Sequence, residues 1–196
     1  MAALGAIPGD ALDGYVVMGE LALDGTIAAV AGALPAAMGA HALGKGLICP
    51  ERSGSEAAWA SETMDVLAPR SLISMANHFK GTQVLSRPRP HIQDTSERHR
   101  DMADIRGQET AKRALEIAAA GGHNMLMIGP PGSGKSMLAS ALPSILPPLK
   151  PKELLEVSMI ASIAGTIADG KLSAARPFRQ PHHSASMAAN MVPSST

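Results

Sequence analysis

Aromatic side chains are nearly missing from this sequence: one Tyr, one Trp and two Phe in 196 residues, at Tyr15, Trp59, Phe79 and Phe178. Rings bury the largest area per residue, so a core here has to be packed from small aliphatic side chains and methionine, and is expected to be marginal. Cysteine is reduced to Cys49, which excludes an intramolecular disulfide and any zinc cluster built on thiolates. Cys49 lies between Ile48 and Pro50 in an apolar stretch and reads as a buried small hydrophobe. Net charge is absent too. With 17 Lys plus Arg against 17 Asp plus Glu, no overall field draws the chain to nucleic acid or an anionic membrane, and any such affinity needs a local patch. The first ten residues, MAALGAIPGD, lack the charged region of a signal peptide, so a reducing, cytoplasmic setting is expected. The one uncharged stretch approaching the roughly 18 residues of a membrane span is 26–43. It is mostly Ala and Gly with Pro35 inside it, so no membrane partner is expected.

The order of apolar runs and breakers predicts an α/β chain. Tyr15 to Met18 and Thr26 to Val30 flank Leu23-Asp24-Gly25, and Asp-Gly between apolar runs predicts a hairpin. A helix over about 35–43, a strand at Leu47-Ile48-Cys49 closed by Pro50, and helical pieces within 55–80 complete a small α/β or α+β unit. From Ser86 to Arg100 the sequence SRPRPHIQDTSERHR is charged, carries two prolines and has almost nothing apolar; it reads as an exposed linker. Beyond it, Ala111, Ala114, Leu115 and Ala118 follow helical spacing over about 108–120, and Gly121-Gly122 end the helix. Asn124 to Ile128 is a short uncharged run that predicts a buried strand.

The next eight residues carry the chemistry. Gly129, Pro130, Pro131, Gly132, Ser133, Gly134, Lys135 and Ser136 meet the pattern G-x-x-x-x-G-K-[ST] between an apolar run and a helical one, Met137 to Leu142. Glycines let backbone N–H groups turn inward around a phosphate, and the helix start adds a positive dipole end. Lys135 is expected to reach the β and γ oxygens of ATP, and Ser136 to offer its hydroxyl to the accompanying Mg2+. An ordinary glycine turn requires neither Lys135 nor Ser136. Hydrolysis needs more: an acidic residue at the end of a second apolar strand, a water-positioning group and usually an arginine. After Ser136 no strongly apolar run ends in Asp or Glu. Residues 160–168 come nearest, and Asp169-Gly170 behind them reads as a turn.

With the loop placed, its surroundings resemble the magnesium-chelatase-like branch of the AAA+ ATPases, and within it the ComM (YifB) family. Asp104-Ile105-Arg106-Gly107-Gln108-Glu109 resembles the box before the first AAA+ helix, residues 114–139 are similar to that family's form throughout, and RPFRQPHH at 176–183 resembles its RPFR-x-PHH segment. Residues 14–50 resemble the end of the Lon-protease-like domain that precedes the AAA+ module in such proteins. The resemblance implies a partial Lon-protease-like (ribosomal S5 domain 2-like) α+β segment over 1–86, a linker over 87–100 and the N-terminal part of a P-loop AAA+ domain over 101–196. It implies an adenine pocket near Ile105 and Gly107, ATP and Mg2+ as cofactors, and, for the family, a hexameric ring working on DNA in recombination and transformation. Leu34 stands where the Lon lysine is expected, so proteolysis is not expected. The Walker B strand, sensor and arginine finger are not found, so the chain reads as truncated at both ends. ATP hydrolysis is therefore left open, and no catalytic residue is assigned. A magnesium chelatase ATPase subunit and a non-functional remnant are the competing readings. His182 and His183, being adjacent, point apart and make a poor metal pair. Arg176 and Arg179 are candidates to face DNA or a neighbouring subunit.

Overall fold

In the computed structural model, which describes residues 1–93 and 100–179, three short apolar runs far apart in sequence come together as a parallel sheet. Strand β1 (Tyr15–Val17) pairs with β4 (Gly46–Ile48), aligning Tyr15 with Gly46 and Val17 with Ile48, and β4 pairs with β5 (Val66–Leu67). Between β1 and β4 the chain makes a small antiparallel hairpin, β2 (Glu20–Leu21) with β3 (Ile27–Ala28), and then helix α1 (Ala33–Ala42). Helix α2 (Glu51–Ala57) connects β4 to β5, and α3 (Leu72–Phe79) follows β5. A parallel sheet needs such crossovers, and it buries its central strand on both faces. Leu47 is fully buried and Ile48 nearly so. The two-residue period sends Leu47 and Cys49 into a cluster with Ala37, Ala40, Ala57, Met64 and Val66, while Ile48 joins Leu67 and Met75 on the opposite face, where Tyr15 and Phe79 pack.

The strand expectations shift here. The Asp24-Gly25 turn does form, with the Asp24 carboxylate accepting from both the N–H and the hydroxyl of Thr26 at 2.9 and 2.7 Å. Its first arm is β2, however, whereas Tyr15–Val17 is drawn into the parallel sheet, because burial there outweighs pairing in a hairpin whose Leu21 and Leu23 remain exposed. Strand β5 was not expected at all; two residues offer no period to read. The stretch expected to be an exposed linker begins on the surface of this unit, where residues 86, 87 and 89–92 are exposed. The Arg87 guanidinium donates to the carbonyls of Ser61 and Glu62, and the His91 N–H donates to the Ser55 hydroxyl at 3.1 Å. Strand β6 (Ile92–Gln93) then pairs in parallel with β7 (Leu172–Ser173). The rest of that stretch, 94–99, lies outside the described residues.

The described chain divides into residues 1–93 with 155–173, and residues 100–154 with 174–179. In the second unit, the Asp101 carboxylate caps a 3-10 turn (Met102–Asp104) by accepting the Ala103 N–H at 2.9 Å. Helix α4 (Glu109–Gly121) matches the expected helix within a residue, and α5 (Lys135–Ala141) starts two residues earlier than expected; α6 (Pro151–Ile163) belongs to the first unit from Leu155 onward and reaches only the start of the apolar run at 160–168. The core of this second unit is Met102, Ile105, Leu115, Leu138 and Ala141. The expected strand at 124–128 is not formed. Leu126 and Ile128 are 82% and 88% exposed. A strand is stable only when its N–H and C=O groups find a neighbour, and among the described residues none lies alongside this one. Among the described residues no helix is long and apolar enough to cross a membrane; the uncharged stretch 26–43 is occupied by β3 and α1.

Candidate functional site

The loop between the extended run and α5 is built by backbone freedom at two places. Gly132 and Gly134 have φ of 78° and 84°, which side-chain-bearing residues avoid, so the chain can curl and enter α5 directly at Lys135. The lysine side chain turns back over this curl. Its Nζ donates to the carbonyls of Gly129 and Pro130 at 2.8 and 2.7 Å and to the Ser133 hydroxyl at 3.1 Å. A methyl group at Gly129 would sit 3.1 Å from the Ser133 Oγ, so the loop closes tightly enough to favour glycine there as well. Gly129 to Gly132 and Ser136 are exposed, and Lys135 is half-buried. The eight residues singled out from the motif are therefore one continuous, accessible loop with an ammonium group held across it. Three glycines, uncapped N–H groups at the start of α5 and a Lys–Ser pair form a donor set suited to a phosphate chain and its magnesium, so the residues present fit the expected group.

The other sequence-derived positions fare differently. Ile105 is 3% exposed and packs in the core with Leu115 and Leu138, so its side chain anchors the segment, while Gly107 is exposed with φ of 69° and open space around it. Gln108, placed by the sequence in the box at 104–109 and at the helix start but given no site role, donates its side-chain amide to the Ser133 carbonyl at 2.9 Å. Nothing in local periodicity marks that contact, because its partners are 25 residues apart. Arg176 is engaged inside the same unit: it donates to the Pro147 carbonyl at 2.5 Å and pairs with Glu153 at 3.3 Å. The Lys150 N–H, with Arg176 adding charge, holds the Glu153 carboxyl below its ordinary range. His182 and His183 lie outside the described residues, and among the described residues no group of His, Cys, Asp or Glu could hold a metal ion.

In the first unit, Leu34 is fully buried and donates its N–H to the Glu56 carboxylate at 3.0 Å. Glu56 also accepts from the Ser162 hydroxyl, beside a cleft of about 240 Å³ that Arg52, Ser53 and Asp169 help to line. The Leu34 N–H and the Ser162 hydroxyl both belong to the scaffold. The Cys49 thiol is pushed up to about 12 by burial, with the Glu56 charge adding to it, which removes it from nucleophilic chemistry at neutral pH.

Residues 101–195, which contain the loop, match the family model described as magnesium chelatase, subunit ChlI. The chain is 42% identical over 178 residues to the uncharacterized protein YifB of Salmonella typhimurium, covering 91% of this chain and 35% of that protein. It is 39% identical over 189 residues to YifB of Escherichia coli, with 96% and 37% covered. Against the competence protein ComM of Haemophilus influenzae it is 36% identical over 180 residues, with 89% and 35% covered. The chain thus spans little more than a third of the length of these curated relatives. Similarity that runs on both sides of the loop and through the unit before it decides the matter: the chain belongs to the magnesium-chelatase-like family that includes YifB and ComM.

Proposed function

We propose that this chain is the ATP-binding part of a ComM-like AAA+ ATPase, with Gly129 to Ser136 holding the phosphates of ATP and Mg2+. The observation that carries the reading is the Lys135 ammonium bridging the loop's own carbonyls and the Ser133 hydroxyl, at 2.7 to 3.1 Å. An incoming phosphate chain would offer charged oxygens to the same ammonium, and charge-assisted bonds are stronger than bonds to neutral carbonyls. Lys135 would exchange partners, the N–H groups of the curl would receive the β-phosphate, and Ser136 would face the cation. When bound, magnesium would neutralise phosphate charge and fix the oxygens in place. The turn around Ile105 and Gly107 is the proposed edge of the adenine site. Residues 1–86 are read as a Lon-protease-like unit without protease chemistry, since Leu34 takes the place of a lysine and is enclosed in the core.

The name of the Haemophilus relative, competence protein, supports a family role in DNA processing, and a hexameric ring acting on DNA is proposed for the whole protein. For this chain we propose binding without appreciable turnover, because β7 is the one strand among the described residues after Ser136, and it is short and ends in serine. A magnesium chelatase subunit is the second reading, favoured by the family model over residues 101–195. The first is preferred because the ComM relative aligns with 89% of this chain, including the unit before the loop. Titration with a fluorescent ATP analogue tests the core of the proposal. Saturable, magnesium-dependent binding that disappears in Lys135→Ala is expected; a folded wild type that binds nothing overturns it. Phosphate release by this chain is expected at background, and Lys135-dependent turnover would refute binding without hydrolysis.

A further inference from the structure

We propose that Gln108 is a positioning residue for the phosphate loop: its side-chain amide sets the orientation of the Ser133–Gly134 peptide from outside the motif. The proposal rests on the nucleotide reading above and extends it to a residue that the loop pattern does not contain.

Three features of Gln108 are costly for a helix start and make sense together. Its backbone is left-handed, with φ of 61° and ψ of 33°, a region that residues with a Cβ avoid. Gln108 and Asp169 are the two such non-glycine residues among those described. It occupies the N-cap of α4, where Ser, Thr, Asp, Asn or Gly is favoured, yet its side chain caps no helix N–H. Instead, the side chain leaves its own helix and donates to the Ser133 carbonyl at 2.9 Å. Gly107, with φ of 69°, precedes it, so two successive left-handed residues aim the amide at the loop.

The peptide it grips is the one that needs gripping. Ser133 lies between Gly132 and Gly134, whose positive φ values show how freely the chain can turn at these points. A trans peptide sets its C=O and N–H in opposite directions. Holding the Ser133 carbonyl toward Gln108 therefore points the Gly134 N–H away from Gln108. The approach is close: a Cβ at Gly134 would meet the Gln108 Nε2 at 3.2 Å. The same residue, Ser133, offers its hydroxyl to Lys135, so the amide steadies the lysine's partner as well.

Gln108→Gly tests this without threatening the fold, since glycine adopts the left-handed backbone with no strain while removing the exposed side chain that carries the amide. Gln108→Met keeps the bulk and the strain but cannot donate. Affinity for Mg-ATP and for inorganic tripolyphosphate should fall by the same factor, about five- to tenfold, in both variants. The thermal midpoint of Gln108→Gly should not drop. Because a base-side role would weaken ATP alone, unequal losses would overturn the proposal, as would a Gln108→Gly chain that binds both ligands like wild type. A wild type that binds neither ligand would instead bring down the nucleotide reading on which this one rests.

Discussion

Glu56 shows how single residues are committed in this protein. The carboxylate is 6% exposed and joins α1 to the segment around Ser162 through the Leu34 N–H and the serine hydroxyl. Truncation to alanine leaves a buried N–H and a buried hydroxyl without their acceptor, so Glu56→Ala should cost about 3 kcal/mol in urea unfolding, and Glu56→Gln, which retains an acceptor oxygen, distinctly less. A loss below about 1 kcal/mol for alanine would show that these bonds are dispensable. Cys49 and Tyr15 give a pH dependence. Burial, reinforced by Glu56, raises the Cys49 thiol from 9.0 to about 12. Burial and then the Asp65 carboxylate, which accepts the Tyr15 hydroxyl, raise Tyr15 from 10.0 to about 12. Both are acids held neutral by the fold. The unfolded chain therefore loses protons first, and stability that is complete below about pH 9 declines as pH rises toward about 12. Chemical denaturation at stepped pH should show a flat profile up to about pH 8.5 and a fall above it. Alkylation of Cys49 should follow unfolding in the same range.

At the scale of elements, β4 is the piece on which the first unit depends. Gly46 opens it because there is no room for anything larger: a Cβ there would lie 2.7 Å from the Tyr15 ring and 2.8 Å from the Asp65 carbonyl. Gly46→Ala should lower stability by about 2 kcal/mol or more, as overpacking against ring and backbone does, and a thermal midpoint equal to wild type would contradict the tight fit. The opposite outcome is expected in residues 124–128. Leu126 is solvent-exposed, so Leu126→Ser should change the stability of this chain by less than about 0.5 kcal/mol. A larger loss would mean that the run is packed after all. These two elements mark where the sequence was readable. Helices α1 and α4 were placed within a residue or two because glycine, proline and the apolar spacing are local signals. Strand β1 was seen as a strand but given the wrong neighbour, β5 was missed, and 124–128 was read as a strand from its composition alone. Pairing decides all three, and pairing partners are not neighbours in sequence.

For the whole molecule, charge balance is the dominant fact. With a net charge of zero and an isoelectric point near 7.1, the chain lacks the mutual repulsion that keeps proteins apart in solution. Solubility should pass through a minimum close to pH 7 and rise on either side, measurable by light scattering; a monotonic curve would exclude charge as the controlling term. The exposed Leu126 and Ile128 should add to association near that minimum. Single-residue burial follows composition too, since the clusters of both units rest mainly on Ala, Leu and Met, as expected from the scarcity of rings.

The sequence by itself determined the loop at 129–136, the helices that flank it and the exclusion of an intramolecular disulfide, because each depends on residues close along the chain or on simple counts. Gly129, Gly134, Lys135 and Ser136 were legible as a phosphate-binding pattern before any coordinate was known. Only the tertiary structure decided that Gln108 holds Ser133, that Glu56 holds Ser162, and that Tyr15–Val17 lies beside Gly46–Ile48. Those contacts join residues 25, 106 and about 30 positions apart, and no periodicity encodes them. Hydrogen-bond partners are chosen by what burial brings together, and that choice is made by the folded chain as a whole.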